Sequence, residues 1–130
     1  MKRSMNSTRG NVFRENLQSY MTEERMSHNS TAKAAGVSQK TVWSVCTGRS
    51  VPSLDTAETV ANAAGVDAAV LQIKPLSPSQ VGRSKKVAQL TSELFELSAA
   101  DLERVRHVVA AMRLPKEKPT VRQYALLSEV

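Results

Sequence analysis

With a single cysteine in 130 residues, the chain has no internal disulfide and no cysteine-built metal cluster. Cys46 reads as a small core hydrophobe. The two histidines, His28 and His107, lie far apart in sequence and do not pair at metal-ligand spacing. Aromatics are few, two Phe, two Tyr and one Trp, which suits helices packed through small residues. No apolar run approaches the roughly 20 residues of a membrane span. The basic N-terminus lacks the apolar stretch that a signal peptide carries next. The Asn-x-Ser/Thr strings at Asn6 and Asn29 are therefore read as chance, and a cytoplasmic chain without membrane contact is expected. There is no phosphate-binding loop, dinucleotide fingerprint or catalytic triad pattern, so neither an enzyme nor a cofactor is expected.

What the sequence does have is helix punctuation. Ser27 suits an N-cap, its hydroxyl accepting from a first-turn N–H, and Ala32, Ala34 and Ala35 favour helix. Gly36 suits the left-handed stop. Val37 turns inward, and Ser38 caps a helix from Gln39 to about Thr47, ended by Gly48. Pro52 forces a loop. Ser53 or Asp55 restarts helix to Ala64, and Gly65 stops it. Asp67 caps a last turn through Leu71. Upstream, Phe13, Leu17, Tyr20, Met21 and Glu24 recur at three and four, which predicts a helix from about Arg9 to Arg25. Val42 and Val45 share the inner face of helix 39–47, while Lys40, Trp43, Ser44 and Thr47 face away. Ala57, Val60, Ala61 and Ala64 form the next inner stripe. The expectation is an all-α domain of five short helices. Two of them are joined by a short glycine turn, the helix-turn-helix arrangement whose second helix fits the DNA major groove.

From about Phe13 to Leu71 the sequence resembles the lambda-repressor/Cro type of helix-turn-helix, the XRE family. The marks are Met26-Ser27, Ala32, Gly36-Val37-Ser38, Val42 and Val45, Gly48, Pro52-Ser53-Leu54 and Ala61…Gly65-Val66. The resemblance implies five packed helices and binding of operator DNA as a dimer. The chain departs from the pattern in several places. His28 replaces the usual Gln at the start of the second helix. Thr31, Ala35 and Ala57 are small where the family has bulky aliphatics, so the core is either tighter or filled by Met26, Tyr20 or Trp43. Lambdoid repressors often bury an Arg in the first helix against a Glu near the end of the third. Met21 and Cys46 replace both, and an apolar pair avoids the desolvation cost of an ion pair.

The net charge of +6 is uneven. Residues 26–73 are neutral overall. The excess lies in a basic N-terminal arm, 1–10, and around Lys74, Arg83, Lys85 and Lys86, charges that suit either a solvated surface or phosphate contact. Residues 74–83, KPLSPSQVGR, read as a linker or extended strap between the 11–73 domain and the helical segment from Ser84 onward. Ser84 suits the cap of a helix with the stripe Val87, Leu90, Leu94 and Leu97. Ser98 suits the cap of another, with Leu102, Val105, Val108, Val109 and Met112, closed by Pro115. These two helices make a hairpin over 84–114 that is too small to bury both stripes alone. A second copy would cover Val87, Leu90, Leu94, Leu97, Val105 and Met112, and helical tails of XRE-type regulators serve dimerisation. The alternative is that the hairpin folds back on its own domain. A chain cut after Gln72 is then expected to stay folded and monomeric. The tail, 115–130, is too apolar for a plain solvated end and suits packing across the dimer or docking another protein.

Function rests on the third helix. Its first residues enter the groove, so Gln39 and Lys40 are the leading base readers, with Ser44 one turn on. Trp43 either packs as a structural residue or presses on a thymine methyl or the sugar backbone. Ser38 stands at the same helix start, as a cap and as a candidate phosphate contact. The family pattern carries phosphate contacts to His28, Asn29, Thr47 and Arg49. The expected partner is double-stranded operator DNA bound by a homodimer, with repression as the outcome. The alternatives are an antitoxin that masks a toxin through its C-terminal region, and an adaptor without DNA binding.

Overall fold

A computed structural model describes residues 7–114, and every regular element in that range is helical. The helices are α1 (Ser7–Glu23), α2 (His28–Ala35), α3 (Gln39–Thr47), α4 (Leu54–Ala64), α5 (Pro78–Gly82), α6 (Ser84–Leu94) and α7 (Ala99–Met112), with a single 3-10 turn at Val70–Gln72. The chain divides into two compact units, 1–93 and 94–130.

One device starts most of the helices. Ser27, Ser38, Ser53, Ser77 and Ser98 stand in extended backbone, and each hydroxyl accepts from the N–H three residues on, at 3.0 to 3.2 Å. Each thereby satisfies one donor that the first turn leaves orphaned. Gly36, Gly48 and Gly65 end α2, α3 and α4 with φ of +70° to +81°. The first helix stops at Glu23, two residues short of the expected end. Arg25 takes φ +55°, and the Met26 N–H donates back to the Met21 carbonyl at 2.8 Å. No glycine marks that stop, so the apolar spacing alone overshoots it.

In unit 1 the core gathers Phe13, Leu17 and Met21 from α1, Ala32 from α2, Val42, Val45 and Cys46 from α3, and Ala57, Val60, Ala61 and Ala64 from α4. Tyr20 and Met26 pack against it half-buried. Met21 and Cys46 are both buried, and the Cys46 thiol donates to the Met21 thioether at 3.7 Å. Desolvation pushes the Cys46 thiol up to about 11.

The segment 74–83 is not a linker. Ser77 and Gln80 form a reciprocal capping box that starts α5, and Val81 is fully buried in the core. Gly82 comes so close to Tyr20 that an added Cβ would lie 3.4 Å from its ring. Ser84 does not cap α6. It is buried, and its hydroxyl accepts from the Asp67 N–H at 2.9 Å. Asn16, buried on α1, holds the same region. Its amide donates to the carbonyls of Leu71 and Lys74, both at 2.9 Å, and accepts from the Leu76 N–H at 2.8 Å. The domain thus continues past residue 73, and a cut after Gln72 would remove part of its core.

Unit 2 contains α7, capped by Ser98. The helix carries Arg106–Glu103 at 2.8 Å and Arg104–Asp101 at 3.6 Å, and none of its residues is buried. Leu97, Leu102 and Met112 are exposed, while Val105 is half-buried. Residues 115–130 lie outside the described range, as does most of the 1–10 arm.

Candidate nucleic-acid interface

The inner face of α3, Val42, Val45 and Cys46, is held in the core. That anchoring fixes which side of the helix faces out. Gln39, Lys40, Trp43 and Thr47 are exposed and Ser44 is half-buried. The expected base readers fall on two adjacent stripes, Gln39 with Trp43 and Lys40 with Ser44, each four apart and so stacked one turn above the other. Lys40 and Ser44 line a depression of about 300 Å³ that also takes in Ser38, Thr41, Ser50 and Thr56. At the start of α3 the Ser38 hydroxyl lies 2.8 Å from the Thr41 hydroxyl and accepts the Thr41 N–H. The cap is thus built from two side chains, and it sets the direction in which the first turn leaves the core.

Trp43 stands on the outer surface, 38% exposed, and does not fill the core. The guanidinium of Arg49 lies 5.2 Å from its ring centroid. At that range the ring quadrupole attracts the cation. Arg49 comes after Gly48 in the loop, so the chain folds its own cation back onto α3. The Thr47 hydroxyl donates to the Trp43 carbonyl at 2.8 Å. Its one proton is therefore spent inside the helix, and a phosphate contact would require it to turn. His28 and Asn29 are the first two residues of α2, half-buried and exposed respectively, beside N–H groups of a helix start that can receive a phosphate.

Arg14 carries no mark in the sequence, yet it reaches this region from α1. Its side chain lies across Gly48, where an added Cβ would come 2.9 Å from Nε. Gly48 is required twice, for its φ of +75° and for this approach. A cation there also suits the negative end of α3. No local pattern reveals Arg14, because the approach depends on how α1 crosses the end of α3. Among the described residues no three His, Cys, Asp or Glu side chains gather to hold a metal ion, and no helix is long and apolar enough to cross a membrane.

Residues 12–72 match the family model described as a helix-turn-helix domain. No curated protein and no solved structure is significantly similar to the chain. The matched span ends at Gln72, inside the 3-10 turn and before α5, so the family model leaves out the last pieces of this domain's core.

Proposed function

We propose that the helix-turn-helix domain of residues 12–72 makes this chain a sequence-specific DNA-binding regulator of the XRE kind, a repressor that grips a two-fold operator as a homodimer. It acts by binding and not by catalysis, on DNA in the cytoplasm. The observation that carries the reading is the mounting of α3. Its apolar face is locked in the core, while Gln39 and Lys40 lead the helix into solvent. Glutamine can bond adenine N6 and N7 together, and lysine can reach guanine O6 or N7. Around these readers stand groups suited to phosphates, namely His28 and Asn29 at the start of α2 and Arg49 on the Trp43 ring. Phosphate contacts supply the salt-sensitive affinity and base contacts the specificity.

The exposed Val87 and Leu90 on α6 support the homodimer, and unit 2 separately exposes Leu97 and Met112. A dimer on a two-fold site sets its recognition helices about 34–36 Å apart, one DNA turn. Selection of bound sequences from a random DNA pool tests the proposal. The expected result is a palindromic site with half-sites one turn apart. A pool that stays random after selection would overturn it, and co-purification of a toxin would point to the antitoxin reading instead.

A further inference from the structure

Unit 1 carries a second concavity, of about 420 Å³, away from α3. Ile73, Leu76 and Val87 form its apolar wall, and Lys74, Arg83 and Lys86 stand at its rim. Ile73 is 72% exposed. The apolar surface runs on along α6 to Leu90, one turn beyond Val87 and also exposed. An apolar patch with a charged rim marks a surface built to be covered.

The sequence states what suits it. From Lys74 to Lys86 there are four cations and no anion, and from Val87 to Glu103 four anions and no cation. The change of sign falls within α6. Lys86 lies near its start and Glu93 near its end, seven residues apart, so both sit on one face about 10 Å apart along the axis. We infer that α6 packs antiparallel against α6 of a second copy. In that arrangement each Lys86 stands level with Glu93 of the other chain, and two such pairs form around the two-fold axis. Gln89 and Leu90 flank the midpoint, and Leu90, on the same face as Lys86 and Glu93, lies close to its own copy across the axis. Leu94 of the second copy comes level with Lys85, one residue before the Lys86 that lines the groove. A parallel pair would instead set Lys86 beside Lys86 and Glu93 beside Glu93, and like charges repel. A foreign partner would not need a helix that is its own electrostatic complement. The inference rests on the homodimer reading and adds the seam and its polarity.

Sedimentation of the full chain and its charge variants tests it. Lys86→Glu sets carboxylate against carboxylate at both ends of the seam, and Glu93→Lys sets ammonium against ammonium. Each is expected to weaken the dimer about tenfold at low salt, from two lost pairs and two new repulsions. The loss should shrink as salt rises. The double variant, Lys86→Glu with Glu93→Lys, should restore wild-type association. Both positions are exposed, so the fold should survive, and melting curves will show it. In a second measurement, Lys86→Cys chains are mixed with Glu93→Cys chains and oxidised. Mixed cross-links should dominate over either self-link. A dimer indifferent to the reversals, or one that prefers self-links, overturns the antiparallel seam and leaves the homodimer standing. A wild-type chain that sediments as a monomer throughout overturns both.

Discussion

Gln39 occupies the first position of α3, exposed, with its backbone fixed by the Ser38 cap below it. Gln39→Ala should therefore cost roughly 1–3 kcal/mol at the operator and relax one base pair in each half-site. Binding measured over all single-base variants of the selected site checks this, and an unchanged preference at every position would remove Gln39 as a reader. Trp43 should behave differently. It holds Arg49 at 5.2 Å, so its expected contribution to binding is to place a cation. Trp43→Leu is expected to weaken binding to all sequences alike and to reduce the salt slope by roughly one, and Arg49→Ala should do the same. The double variant should lose little more than either alone. A loss confined to one base step would make Trp43 a reader in its own right. Trp43 is the chain's one tryptophan, so its fluorescence reports the same contact directly.

At the scale of elements, two side-chain contacts fix how α1 meets its neighbours. Met21 and Cys46 join α1 to α3 without charge. Met21→Arg or Cys46→Glu alone should destabilise by about 3–5 kcal/mol, because each buries an unpaired ion. The pair together should cost less than the sum, as read by chemical denaturation. The apolar spacing and the paired departure from the family pattern already place these two residues together. Asn16 joins α1 to the chain at 71–76 through three hydrogen bonds. Asn16→Ala would leave three backbone groups without their partner, at a cost on the order of 3 kcal/mol. Part of its role is written in the sequence. Position 16 lies three after Phe13 and four before Tyr20, on the inner face of α1, and a polar residue there must find partners inside. The partners themselves lie 55 to 60 residues away, beyond the reach of local pattern.

For the whole molecule, the position of the domain's end decides what a truncation does. A chain cut after Gln72 loses Leu76, Val81 and Ser84 from the core of unit 1, together with two of the three partners of Asn16. Full burial of one valine alone contributes about 1.5–3 kcal/mol. The expected outcome is a melting transition that is much lower or lost. A cut after Glu93 should keep the unit-1 transition near that of the full chain. Calorimetry of the two fragments separates these cases, and a stable fragment ending at Gln72 would show that α5 is dispensable.

The sequence by itself determined the local structure from α2 to α4. The serine caps, the three glycine stops and the apolar stripes act within four residues, so their meaning survives without the rest of the chain. It also placed Gln39 and Lys40 at the head of an exposed helix, because two inner valines fix the outer face. Tertiary structure decided the remainder. Trp43 could fill the core or face out by its sequence, and only the packed domain puts it on the surface. The proline, glycine and serines of 74–83 read as a linker by composition. The same residues make a capped turn of helix once Val81 has a core to enter. The sites of Arg14 over Gly48 and of Asn16 under residues 71–76 exist only where distant segments cross. Packing creates such contacts, and no spacing along the chain records them.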